Sequence, residues 1–329
     1  MVEQHRNSDE EPRERQAKSR GNSGLEHLSE TLSRAQGNRG GKSSEETSPK
    51  PRQETRIDEC QCKTCGSKFQ GEVTIFHLYR PPKEFRSSEC PACRAIREAE
   101  EKAEQEREQE GARAVRRREW IRTCGIPVLF QGMSWDNLDT EYMPKQQKVC
   151  RQWAEKFDLN KPAESPSLVI MSPGPGVGKT LLCSLVGISV IENWKGNPEG
   201  ARCPVLFLSG PQLVRRLRST YDIPEGQPFH EREEDVYREL KGAKLLLLDD
   251  VGKEQPKSYR WTQEVYWYII QERLAAGLPV VMNSRLPLTG EGSLEDLMGK
   301  DTVDRLYGMC KGRVIELKGE SYRRLHKQP

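Results

Sequence analysis

The feature that most constrains this chain is the run Ser172-Pro-Gly-Pro-Gly-Val-Gly-Lys-Thr180. It lies between an apolar strand candidate, Leu168–Met171, and an apolar helix candidate that begins near Leu181. Backbone N–H groups converge on an anion only where glycines remove the side chains that would block its approach, and a helix N-terminus behind the loop adds partial positive charge. Gly174, Pro175, Gly176, Val177, Gly178, Lys179, Thr180 and Leu181 are therefore read as a phosphate-binding loop. Gly176 and Gly178 supply the bend, Lys179 reaches the β- and γ-phosphates of a triphosphate, and Thr180 ligates Mg²⁺. The first glycine of the usual pattern falls at Pro173, with Gly174 one place late, which is a tolerated variant. A plain Pro/Gly turn would explain the loop alone, but not the strand before it, the helix after it and the Lys-Thr pair.

Leu245-Leu-Leu-Leu248 runs directly into Asp249-Asp250. Four consecutive leucines suit a strand buried on both faces, and carboxylates at its end project where a nucleotide's metal would sit. Asp249 is expected to be the metal-side acid, and Asp250 the acid that orients or deprotonates the attacking water. Aspartate is one methylene shorter than glutamate at that second place. Slow turnover is the expectation, closer to a switch than a motor.

Composition changes along the 329 residues. Residues 1–57 are rich in Ser, Gly, Glu and Arg and nearly free of large apolar side chains, so burial cannot offset their ordering entropy, and a disordered tail is expected there. No apolar core of a secretory signal is present, and no apolar run approaches the roughly 18 to 20 residues of a membrane span. A cytoplasmic protein without membrane contact is the expectation. With 53 basic and 50 acidic residues the net charge is +3, so any nucleic-acid binding has to be local.

Ten cysteines without an export signal favour thiols or metal ligands over disulfides. Cys62-Lys-Thr-Cys65 and Cys90-Pro-Ala-Cys93 form two C-x₂-C knuckles that match the tetrahedral demand of structural Zn²⁺. A zinc module over 58–95 follows, held together by metal because so short a segment has little core of its own. Cys60 is a fifth candidate ligand that could replace Cys62, and His77 reads as an ordinary surface or strand residue. A charged helical linker spans 96–123, with helical i,i+4 pairs such as Arg97–Glu101. Gly111 is a point where it could bend. Arg116-Arg117-Arg118 fits either a nucleic-acid contact or a solvated helical face.

Over 124–329 short apolar strands alternate with amphipathic helices, the pattern of a parallel α/β sheet. Strands are expected at Leu168–Met171, Val205–Leu208, Leu245–Leu248, Pro279–Met282 and Arg313–Leu317. Helices are expected near Leu181–Trp194, Pro211–Thr220, Glu233–Leu240 and Trp261–Ala276. This is the element order of an AAA+ P-loop core with flanking helices.

Several motifs then fall in order: Gly125-Ile-Pro127, Met133-Ser-Trp-Asp-Asn-Leu138, the loop ending in Gly178-Lys-Thr180, and Val205-Leu-Phe-Leu-Ser209 with Leu213-Val-Arg-Arg-Leu217. Leu245 to Gly252, Gly277-Leu-Pro279, Leu286-Pro-Leu288, Arg305-Leu306 and Ser321-Tyr-Arg323 follow. Together they resemble the DnaC/DnaI-type replicative helicase loaders, whose core pattern the IstB-type transposition helper ATPases share. The resemblance implies an arginine finger at Arg305, reaching a neighbouring subunit's nucleotide, and a second sensor at Arg323, touching the phosphates in cis. For the first sensor, family members often read Thr-Ser-Asn before Leu-Pro-Leu, whereas this chain reads Asn283-Ser284-Arg285. Either Asn283 contacts the γ-phosphate two residues early, or Arg285 replaces the amide with a cation; Asn283 is preferred.

The zinc knuckles favour a loader over a transposition helper, because loaders of this group resemble a two-part design in which a helicase-gripping module, sometimes zinc-bearing, precedes the core. The implied partners are a hexameric, DnaB-like replicative helicase, single-stranded DNA and further copies of this chain in an ATP-dependent oligomer. ATP, Mg²⁺ and Zn²⁺ are the implied cofactors. Arg215, Arg216 and Arg218 are candidate strand contacts, although a charged outer helix face would look the same. A transposition helper acting with a transposase on DNA is the alternative, and a zinc-bearing adaptor with a vestigial nucleotide site is a third reading.

Overall fold

The computed structural model describes residues 53–221, 231–254 and 258–325. The chain divides into two units, Met1–Cys90 and Pro91–Pro329. Of the expected disordered tail, residues 1–52 lie outside the described residues. Residues 53–57 correct that expectation, because they belong to β1 (Gln53–Gln61). This strand has little to bury, but it pairs along its whole length with β2 (Lys68–Phe76), from Gln53↔Phe76 to Gln61↔Lys68. β3 (Lys83–Arg86) completes an antiparallel sheet in the order β1-β2-β3. Arg56 and Arg86 flank Val73 across the sheet and share the carboxylates of Asp58 and Glu84. Cationic stems on either side of the valine shield it while their heads stay in water. The apolar cluster here is only Cys60, Val73 and Ile75 with Phe69 against it, too small to stabilise a fold alone.

The second unit begins with α1 (Pro91–Thr123), which starts ahead of the expected linker and runs through Gly111 as continuous helix. Its basic cluster has internal work. Arg113 Nε donates to the Gly196 carbonyl at 3.0 Å and Arg117 Nε to the Trp194 carbonyl at 2.9 Å, while Arg116 pairs with Glu119 at 2.9 Å. Trp120 meets Trp194 edge to face at 4.6 Å. These contacts clamp the helix onto the chain just beyond α3 (Lys179–Glu192), the helix that follows the glycine-rich loop.

The sheet of this unit has five parallel strands. β4 (Leu168–Met171) lies between β7 (Val280–Ser284) and β8 (Val314–Glu316), and β6 (Leu245–Val251) lies between β7 and β5 (Val205–Ser209). The leucine run divides between the two faces as a doubly covered strand must: Leu245 and Leu247 join one core, Leu246 and Leu248 the other. α2 (Pro144–Lys156) and α3 pack on the first face. The second is covered by α4 (Gly210–Ser219), α5 (Glu233–Gly242), α6 (Tyr259–Ala275), α7 (Leu294–Met298) and α8 (Lys300–Cys310). A parallel sheet with the loop strand inside it, one strand from the acidic strand, matches an AAA+ core, as the resemblance implies. No helix among the described residues is long and apolar enough to cross a membrane.

Arg273 on α6 is fully buried and has no carboxylate partner among the described residues. It donates instead to the carbonyls of Leu240, Ala243 and Pro279 at 2.6, 3.0 and 2.8 Å, two of them at the C-terminal end of α5, where the helix presents negative partial charge. Burial holds this guanidinium down to about 9.

Candidate active site

Two glycines make the loop's path possible. Gly178 caps α3 at φ 89° and Gly176 has φ 75°, in the left-handed region that other residues resist. A Cβ on Gly176 would stand 2.1 Å from Ser321 Oγ, so that glycine also admits the C-terminal segment. That segment is docked by the Tyr322 N–H, which donates to the Gly176 carbonyl at 3.0 Å, and by Tyr142 Oη, which donates to the Glu320 carbonyl at 2.8 Å. α9 (Tyr322–Leu325) follows and brings Arg323 to the loop.

Lys179, 5% exposed, curls back to donate to the carbonyls of Ser172 and Gly174 at 3.1 and 2.8 Å. Burial, then the positive charge of Arg285, hold its ammonium down to about 8. Thr180 Oγ1 donates to Asp249 Oδ2 at 3.3 Å, so the hydroxyl and the carboxylate expected to share Mg²⁺ meet across two elements. Burial raises the Asp249 carboxyl above its usual range, opposed by the Asn283 and Thr180 hydrogen bonds. A divalent cation would reverse that upward pressure, and a hard-oxygen pair of this kind fits Mg²⁺.

Successive strand residues point to opposite faces, so two adjacent acids should not serve one site. The structure resolves this with a β-bulge. Leu248 pairs with Met282 but Val251 pairs with Ser284, leaving Asp249 and Asp250 opposite Asn283 alone, and Asp250 takes φ 51°. Asn283 fills the gap: its Nδ2 donates to Asp249 Oδ1 at 2.5 Å and its Oδ1 accepts the Asp250 N–H at 2.9 Å. Asn283, expected as the first sensor, is 0% exposed, and each end of its amide contacts one of the acids, with one Nδ2 hydrogen left over. Asp250 faces the cavity, with Lys253 Nζ 2.5 Å from its Oδ2.

That cavity, of about 280 Å³, is lined by Gly176 to Leu182, Asp250, Lys253, Arg285, Tyr322 and Arg323 on its polar side. The rest of its lining is Leu129, Phe130, Met133, Leu138, Tyr142 and Met143, with Asn137, Asp139 and Gln147 among them. A largely apolar lining beside a cationic phosphate cradle suits a nucleotide, with a flat base at one end and charge at the other. Gly174 lies beneath the loop, accepting from Lys179, and Pro175 lies within it. Arg305 is not among the lining residues; on α8, its guanidinium sits 6.0 Å from the Trp267 ring centroid, and its Nη1 is buried without a partner among the described residues. The residues missed from sequence are the apolar part of the lining, Lys253, and Arg285 as the lining member of its pair. The apolar part could have been suspected from the Met133–Leu138 motif, but nothing local marks it as ligand-facing.

The sulfurs of Cys62, Cys65, Cys90 and Cys93 all lie within 4.8 Å of one another, with Cys65 and Cys90 at 3.7 Å. A tetrahedron with Zn–S near ~2.3 Å requires sulfurs about 3.8 Å apart, so the donor set fits. Backbone N–H groups of Cys90 and Cys65 hold the Cys62 thiol down to about 6, favouring the thiolate that binds metal. Cys60 instead packs into the small core with Val73 and Ile75, which answers which four of the five cysteines gather.

No protein-family model and no curated protein matches this chain. Solved structures are similar to it. The DnaC helicase loader is 20% identical over 58% of this chain and 100% of that one, with a TM-score of 0.45. DnaI is 17% identical over 60% and 95%, with a TM-score of 0.44. AMPPCP-bound DnaA from Aquifex aeolicus is 18% identical over 59% and 51%, with a TM-score of 0.42. At these values the assignment of the core rests on its own strand order and on the loop and acids at its carboxyl edge.

Of the candidate strand contacts, Arg216 is held by Glu231 and Glu239, and Arg218 lies 5.2 Å from the Trp261 ring centroid. Arg215 is exposed on α4.

Proposed function

We propose that this protein is an ATP-dependent loader of a replicative helicase onto single-stranded DNA, working as a nucleotide-switched assembly with slow hydrolysis. The observation that carries the nucleotide half is the contact of Thr180 with Asp249 beside a cavity lined by Lys179, Asp250 and Arg323. In this reading Lys179 leaves the carbonyls of Ser172 and Gly174 for the β- and γ-phosphates, and the amides around Gly176 and Gly178 cradle the chain of phosphates. Thr180 and Asp249 would hold Mg²⁺, which would supply neutralising charge at the phosphates. Asp250 accepts a proton from the attacking water at Oδ2, so the Lys253 ion pair has to open first. Arg323 contacts the phosphates in cis. Arg305, outside its own cavity, serves a neighbouring copy's nucleotide, which makes hydrolysis depend on assembly.

The loader half is supported by the ordered motif resemblance and by the four-cysteine cluster ahead of the core, read as the zinc-bearing grip on a hexameric helicase of DnaB type. The proposal places the protein in the cytoplasm. Its test is capture of partners by the full chain with ATP, using wild type and Lys179→Ala. A replicative helicase retained by the wild type and lost by the variant is the expected result; a transposase alone would overturn the loader. Steady-state turnover should fall well below tens per second.

A further inference from the structure

Asp250 Oδ2, the oxygen assigned above to take the proton of the attacking water, lies 2.5 Å from Lys253 Nζ. Lys253 is the only side-chain partner of that carboxylate among the described residues. The pair closes a tight turn. Asp250 has φ 51° and Gly252 φ 101°, and the Lys253 N–H donates to the Asp250 carbonyl at 3.2 Å. Glu254, 7% exposed, anchors the far side of the turn: its Oε2 accepts the Gly252 N–H at 2.5 Å and its Oε1 accepts the Tyr266 hydroxyl of α6. Gly252 also rests on Leu286, which a Cβ there would approach to 2.7 Å. The backbone that carries Lys253 to Asp250 is therefore fixed by the fold, unlike that of two surface side chains that happen to meet.

Lys253 lines the same cavity as the glycine-rich loop, so two opposite roles are open to it, phosphate ligand or counter-ion of the base. A cation seated on the base occupies the oxygen that a water O–H has to reach. Moving a proton onto Oδ2 gives up the pairing, so the contact stabilises the site before proton transfer more than during it, and that slows the chemical step. Both side chains keep contact with water, 40% exposed for Lys253 and 23% for Asp250, so the pair opens under screening.

We infer that Lys253 is a built-in restraint on hydrolysis, a counter-ion that keeps Asp250 out of use until the ion pair opens. The inference rests on the nucleotide-site reading above. Slow turnover is then a property of this turn, beyond the short reach of an aspartate, and it is set within a single chain.

The test is steady-state hydrolysis at saturating ATP, together with equilibrium binding of fluorescent ATPγS, by the full chain as wild type, Lys253→Ala, Lys253→Arg and Lys179→Ala. Lys253→Ala should raise turnover about fivefold, equivalent to the roughly 1 kcal/mol upper end for a pair this exposed, with ATPγS affinity changed by less than about twofold. Lys253→Arg keeps a cation on the carboxylate and should stay at or below the wild-type rate. Raising KCl from about 50 to about 300 mM should speed the wild type and leave Lys253→Ala unaccelerated. Thermal melting checks that the variants are folded. A phosphate ligand predicts the opposite sign: if Lys253→Ala weakens ATPγS, lowers turnover or leaves it unchanged, while Lys179→Ala abolishes binding, the inference is overturned and the nucleotide site stands. If Lys179→Ala changes neither binding nor hydrolysis, the site reading itself falls, and this inference with it.

Discussion

At the scale of single residues, the site is organised by one amide. Asn283 ties Asp249 through its Nδ2 and the Asp250 backbone through its Oδ1, so the two acids are held before any ligand arrives. Asn283→Ala should leave the Asp250 N–H and an Asp249 oxygen without their partner, costing about 1–3 kcal/mol in a urea unfolding experiment. It should also lower turnover more than nucleotide affinity, because the loop is untouched. Lys179 gives a second expectation. Its ammonium, held down to about 8, must be protonated to meet phosphate, and phosphate raises its pKa. Affinity should therefore be flat below pH 8 and fall above it, approaching tenfold per pH unit, with about half a proton taken up on binding at pH 8. Calorimetry in buffers of different ionisation enthalpy reads that uptake; none at pH 8 would contradict it. Lys179, Thr180 and Asp249 were legible because contiguous motifs carry them. The role of Asn283 was not, since it depends on a register shift between strands that no spacing in the sequence records.

At the scale of elements, the apolar runs were the readable part. Leu168–Met171 forms β4 as expected, and β6 extends the leucine run through both acids to Val251. Burial on both faces leaves such segments few other conformations. α2 and α8 were not anticipated, because their apolar positions are sparse and their faces are defined by what they cover. β1 was misread in part for a related reason: Gln53–Ile57 is polar, and only its partner strand makes it a strand. Gly176 offers a test of the packing between loop and C-terminal segment. Gly176→Ala adds a Cβ 2.1 Å from Ser321 Oγ at a positive φ, so the segment must move. Nucleotide affinity should fall by about tenfold or more, equivalent to about 1.4 kcal/mol, in the binding assay described above. Unchanged affinity would separate the segment from the site.

At the scale of the whole molecule, the two units draw on different sources of stability. The second has broad apolar cores on both faces of its sheet, while the first has a handful of apolar residues and three of the four gathered thiols. About one Zn²⁺ per chain is expected by metal analysis, lost in Cys90→Ser. Chelation should then remove the protection of the β1–β3 sheet against proteolysis while nucleotide binding by the second unit persists; loss of both together would mean that the units do not fold independently. The cysteine knuckles were legible as a pattern, but Cys60 and Cys62 could be told apart only once β1 had placed one of them in the small core. The C-terminal segment carries a consequence of its own. Ser321 and Tyr322 rest against Gly176 although most of the core's chain separates them. Whatever takes hold of that last short helix, whether a fused tag, an antibody or a neighbouring protein, has a direct mechanical line to the phosphate cradle.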